Sequence, residues 1–102
     1  MLRHQLHLQG RVGEWRDLYS LYEKLEQLVV AKNLVPTQLW AVTLGNNNSA
    51  VLVTEYETME AYVKNTKAFR NDPDIMKLWR ELHKHVEGVP WDELWESASQ
   101  IA

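Results

Sequence analysis

The sequence predicts an α+β domain in the order strand, helix, strand, strand, helix, strand. Three observations carry this: alternating leucines near the start, a long amphipathic stripe after them, and a polar turn joining two apolar runs in the middle. A chain of 102 residues suits one hydrophobic core and is short for two. Residues 1–102 are therefore read as a single domain.

Leu2, Leu6 and Leu8 share one face of a strand over residues 2–8, with Arg3, Gln5 and His7 on the other and His4 among the leucines. Gly10 and Gly13 punctuate a turn. Trp15, Leu18, Tyr22, Leu25 and Val29 then recur at helical spacing, widened by Leu21 and Leu28, which predicts a helix from about Glu14 to Lys32. Asn33 suits a left-handed stop, Leu34 is expected to fold back on the last turn, and Pro36 prevents resumption.

A second strand is expected over Thr37 to Leu44 and a third over Ala50 to Tyr56, joined by the polar turn from Gly45 to Ser49. Val51, Leu52 and Val53 in succession imply a strand covered on both faces. Thr58 is placed to cap a helix beginning at Met59, with Glu60 in its first turn and Met59, Tyr62, Thr66 and Phe69 on its inner side. Asp72 and Pro73 restart the helix, and Ile75, Leu78, Trp79, Leu82 and Val86 form its next apolar stripe. The last segment reads two ways. Trp91, Leu94, Trp95, Ala98 and Ile101 satisfy helical spacing, but Val89 before Pro90 is a poor cap. The sheet needs a fourth strand, so an edge strand is expected near Leu94 to Ser99.

Apolar residues make up 45% and charged residues 25% of the chain, as in an ordinary globular protein. The net charge of −3, without blocks of like charge, argues against a nucleic-acid partner. No apolar run approaches the length of a membrane span and the start lacks a secretory core, so a cytoplasmic protein without membrane contact is expected. The absence of cysteine excludes disulfides, thiolate metal sites and cysteine nucleophiles. No Gly-rich phosphate loop, Ser-His-Asp order or metal-binding histidine spacing is present, so no metal site is expected.

Two helices on one face of a four-stranded sheet leave the other face bare. A strand face holding Trp40 and Val42, or Leu39 and Ala41, is too apolar to stand in water over several strands. Five tryptophans against a single phenylalanine add large indole surfaces suited to an interface. A second copy, sheet against sheet, is the expected partner.

Leu2-Arg3, Gly10, Leu39-Trp40, Leu44-Gly45, Asn48, Glu55-Tyr56-Glu57-Thr58 and Asn71-Asp72-Pro73-Asp74 together give a chain that resembles NIPSNAP-like domains. That group lies within the dimeric α+β barrel superfamily, alongside antibiotic-biosynthesis and heme-degrading monooxygenases. The likeness covers most of the chain and rests on turns, caps and packing positions. It implies a ferredoxin-like fold assembled as a homodimeric α+β barrel.

The first candidate site is the polar face of strand one, Arg3, Gln5 and His7, joined by Glu55 from strand three, with His7 or Glu55 as proton acceptor. Its plainer reading is a solvated or interface-facing strand side. His4, among leucines, is read as a neutral imidazole bonded to backbone. The second candidate is Trp79 with His83, which share a helix side while His85 points elsewhere. Heme-degrading relatives are expected to place a heme-ligating histidine late in this helix. The strand-one asparagine and the tryptophan spacing of those relatives are not matched here, and a core tryptophan with terminal histidines is the plainer account. The third is the aromatic set Trp15, Tyr19, Tyr22, Tyr56 and Tyr62, which aromatic core packing also explains. Glu55 with Glu57, and Asp72 with Asp74, are carboxylate pairs, the second accounted for by capping.

The functional expectation is a small, largely apolar or aromatic ligand held between sheet and helices. Arg3, Gln5, Trp40, Tyr56, Trp79 and His83 are the candidate contacts. The alternative is a cofactor-independent monooxygenase with His7 and Glu55 as catalytic residues. No cofactor is expected, and heme binding or degradation is the remaining alternative.

Overall fold

The computed structural model describes residues 1–42, 44–45 and 47–98. Strand β1 (Leu2–Gly10) leads to helix α1 (Trp15–Ala31), the hairpin strands β2 (Gln38–Ala41) and β3 (Ser49–Tyr56), helices α2 (Met59–Arg70) and α3 (Pro73–His83), and strand β4 (Val86–Glu96). The sheet order is β2-β3-β1-β4 with every neighbouring pair antiparallel. This is the expected ferredoxin-like arrangement, its second helix divided in two.

Local chemistry sets each boundary. At the end of α1, Asn33 takes φ +59°, its N–H donates to the Val30 carbonyl at 3.1 Å, and the Leu34 N–H reaches back to Val29 at 3.0 Å. These two bonds satisfy orphan carbonyls of the last turn, and Leu34 packs on the core as anticipated. The Thr58 hydroxyl accepts from the Ala61 N–H at 3.1 Å and starts α2. Asp72 accepts from the Asp74 and Ile75 N–H groups, each at 3.0 Å, and Pro73 fills the first position of α3.

Asp72 also pairs with the Lys32 ammonium beyond the end of α1. That bond, with the Ile75 N–H next in weight, holds the Asp72 carboxyl below its usual range, and the same bond raises Lys32 above its own. A depressed carboxylate stabilises fully above its unfolded pKa and loses that contribution as pH falls through its folded value. The raised ammonium contributes fully below its unfolded pKa and loses it as pH rises through the folded one. Thermal unfolding followed against pH should therefore lose stability below about pH 4 and again in strong alkali. In Asp72→Asn, which keeps a capping oxygen, this pair's share of both losses should vanish.

Two expectations need correction at the C-terminal end. Val86, assigned by spacing to a helical stripe, is the buried first residue of β4 and lies opposite Gly10. The helix stops short of it because the Lys84 and His85 N–H groups bond to Glu81 and Leu82, three residues back, tightening the last turn. Strand β4 also starts earlier than expected and ends at Glu96. It carries an irregularity between the partners of His7 and Gln9, where Gly88 takes φ +73° and Pro90 has no N–H to give. The expected strand two ran through Thr43, the turn included Asn46, and the last segment reached Ser99 and Ile101. Those four lie outside the described residues.

The core lies between the sheet and the helices. Leu18, Val29, Ile75 and Leu82 are its most enclosed large side chains, packed with Leu8, Leu25, Ala50, Leu52 and Val86. Among the described residues no helix is long and apolar enough to cross a membrane.

Candidate functional site

Pairing fixes the face of every strand residue. On the helix-facing side Leu2, His4, Leu6 and Leu8 of β1 stand opposite Tyr56, Thr54, Leu52 and Ala50 of β3, while Leu6 and His4 face Asp92 and Leu94 of β4. Helices α1 and α3 cover part of this surface closely. Helix α2, by contrast, carries no buried residue. Between α2, α1 and the sheet lies a cavity of about 390 Å³, within the size range of small-molecule pockets.

Its walls are largely apolar: Leu6, Leu25, Val29, Leu52, Phe69 and Trp79 contribute to them. Tyr62, Thr66 and Phe69 of the expected inner side of α2 face it, whereas Met59 stands exposed. Aromatic rings meet edge to face at two points, Tyr56 with Tyr62 at 5.4 Å and Phe69 with Trp79 at 5.6 Å between centroids.

Most polar groups on the wall are already spoken for. Asn65 donates to the Tyr56 hydroxyl at 3.0 Å and accepts from the Val35 N–H at 2.8 Å, tying α2 to β3 and to the α1–β2 loop. Glu26 accepts from the Thr37 hydroxyl at 2.7 Å and from the Thr37 N–H at 2.9 Å. The Tyr22 hydroxyl donates to the Thr37 carbonyl at 3.1 Å. Burial pushes both Tyr22 and Tyr56 above the ordinary phenol range, so both stay neutral hydrogen-bonding groups at physiological pH.

The sequence reading missed one pair. His4 is bonded not to backbone but to the Asp92 carboxylate, Nε2 to Oδ2 at 3.1 Å, and both residues line the cavity. The expected site residues divide between two places. Tyr56 and Trp79 line the cavity, as do Tyr22 and Tyr62 of the aromatic set. Arg3, Gln5, His7, Glu55 and Trp40 sit across the sheet from it, on the face without helices.

On that open face the Arg3 guanidinium pairs with Glu55 at 3.2 Å, and His7 bonds to Glu93 at 2.8 Å while stacking on Trp91 at 3.8 Å between ring centroids. Arg3, Gln5 and Glu55 edge a shallow depression beside Trp95. His83 contributes to neither hollow; its Nδ1 bonds to the Trp79 carbonyl at 2.8 Å and its ring meets the indole edge-on. His85 points away, to Glu14 at 2.8 Å. Among the described residues no cluster of His, Asp and Glu is arranged to hold a metal ion.

No family model matches the chain, and no curated protein matches it. Solved structures do. An uncharacterized NIPSNAP domain protein from Burkholderia xenovorans superposes with a TM-score of 0.81 at 16% identity, over 97% of this chain and 96% of its own. A NIPSNAP family protein from Agrobacterium tumefaciens gives 0.79 at 10% identity, over 93% and 90%. A putative antibiotic biosynthesis monooxygenase from Bordetella bronchiseptica gives 0.74 at 13% identity, over 95% and 96%. At such identities the likeness establishes the fold, and at that level the expected resemblance to both groups is met.

Proposed function

We propose that this chain binds a small, largely apolar or aromatic molecule in the cavity between the sheet and α2, and works as a pair of identical subunits joined through their open sheet faces. The observation that carries the binding role is the 390 Å³ space itself. A core closed by packing alone would hold few voids larger than a water. The pairing rests on the open face, where Trp40, Trp91 and Trp95 are 62%, 57% and 54% exposed around the half-buried Val51. Apolar surface of that kind usually marks an interface.

Thr66 points into the cavity from α2, so Thr66→Trp should fill it. An uncharged fluorescent probe such as N-phenyl-1-naphthylamine should bind the unaltered protein saturably, and the variant at least about tenfold more weakly, with circular dichroism unchanged. Equal binding by the two proteins would remove the cavity from consideration. The monooxygenase alternative, with His7 and Glu55 as proton acceptors, sets its chemistry on the opposite face, in the space two paired sheets would enclose.

A further inference from the structure

We infer that the ligand of this cavity carries a hydrogen-bond-donating hydroxyl or N–H on its apolar body, and that the Nδ1 atom of His4, set by Asp92, receives it. This rests on the cavity reading and narrows the ligand's chemistry.

His4 stands on the helix-facing side of the inner strand β1, in a row otherwise made of leucines. Asp92 reaches it from the edge strand β4, one register step along on the same face. An ionised carboxylate can only accept. In the neutral imidazole the contact therefore places the proton on Nε2 and leaves the lone pair on Nδ1. Among the described residues no group is hydrogen-bonded to that lone pair, and the Tyr62 ring lies beside the imidazole, tilted at 5.9 Å between centroids.

Among the described residues no buried side-chain nitrogen or oxygen lacks a hydrogen bond. An unpartnered Nδ1 is consequently reached by solvent, and His4 is one of the residues lining the cavity. Several other polar groups there hold the protein together. Glu26 is occupied by Thr37, Tyr22 by the Thr37 carbonyl, and Asn65 by Tyr56 and Val35. His4 Nδ1 thus stands as an oriented acceptor amid aromatic and aliphatic surface, beside the freely rotating hydroxyls of Tyr62 and Thr66, an arrangement that fixes orientation while apolar contact supplies affinity. Asp92 is a positioning residue: it holds the ring in one tautomer, and an amide in its place could donate to Nε2 and turn Nδ1 into a donor.

The test compares 3-nitrophenol, which keeps its O–H at neutral pH, with 3-nitroanisole, its methyl ether, by equilibrium binding to the full chain. The unaltered protein should prefer the phenol by about tenfold, the worth of one well-made hydrogen bond, with a change in the absorption band of the bound phenol. His4→Phe should bind both equally. Asp92→Asn, at an exposed side chain with little bearing on folding, should lose most of the preference for the phenol over the ether. Equal affinity of the unaltered protein for phenol and ether would overturn the inference while leaving the cavity reading standing. A preference that survives Asp92→Asn would overturn the role of Asp92. Failure of both probes to bind would instead strike the cavity reading itself.

Discussion

Replacing Trp95 with Glu is expected to convert a dimer into a folded monomer. Trp95, Trp91 and Trp40 lie on the sheet face that carries no helix, and each is more than half exposed in a single chain. Their indoles contribute little to the folding of one subunit, because water still reaches them. Packed against a partner they would be the large desolvated anchors that dominate binding, typically costing about 2 to 4 kcal/mol when lost. The dissociation constant should then rise roughly 30- to 700-fold, measured by sedimentation or light scattering across a concentration series. Circular dichroism and thermal unfolding at low concentration should change little. An unaltered protein that stays monomeric at high concentration would refute the pairing.

The second large effect concerns stability. Leu82 and Ile75 of α3 are 0% exposed and pack with Leu18, Leu25 and Val29 of α1 in one cluster. Leu82→Ala removes several buried methyl and methylene groups from a site held on all sides, which typically costs about 2 to 5 kcal/mol. For a domain of this size that is a large share of total stability. The unfolding midpoint should fall by roughly 10 to 30 °C, read by calorimetry. Leu94→Ala, at a partly exposed position of β4, should cost far less. A small effect at Leu82 would mean that the core can collapse around the vacancy.

Much of the fold was legible because its boundaries are written locally. Asn33 and Leu34 stop α1, Thr58 starts α2 and Asp72 with Pro73 divides α2 from α3, each through bonds spanning a few residues. The C-terminal segment was harder. Trp91, Leu94 and Trp95 fit a helical period, while the structure uses a period of two, with Trp91, Glu93 and Trp95 on one face and Asp92 and Leu94 on the other. The alternation was present in the sequence. The irregularity around Gly88 and Pro90 interrupted it and kept the strand's true start, Val86, attached by spacing to the helix before.

The site was less legible, for a related reason. The face of Arg3, Gln5 and His7 could be read from alternation, and their company with Glu55 follows from the β1–β3 register. Which face would look onto a hollow could not, since that depends on how loosely α2 covers the sheet. Tyr56 and Trp79 were found through their aromatic character. His4 was read as a core histidine because its partner lies 88 positions away, joined to it only by the register of β1 with β4. A lone histidine in a leucine row was the available signal, and nothing local tied it to Asp92.

The two rims of the sheet bear on how far association can run. Strand β4 presents Glu87, Asp92, Glu93 and Glu96 together with its kink at Gly88 and Pro90, and β2, on the opposite rim, is only four residues long. Charge, irregularity and shortness are the ways proteins keep unpaired backbone from recruiting further strands. Strand-by-strand addition has no natural end. Meeting face to face about a two-fold axis does end, because each subunit spends its one matching surface on the other. With its rims guarded and its tryptophans set on the face, the sheet suits the proposed closed pair better than an open fibre.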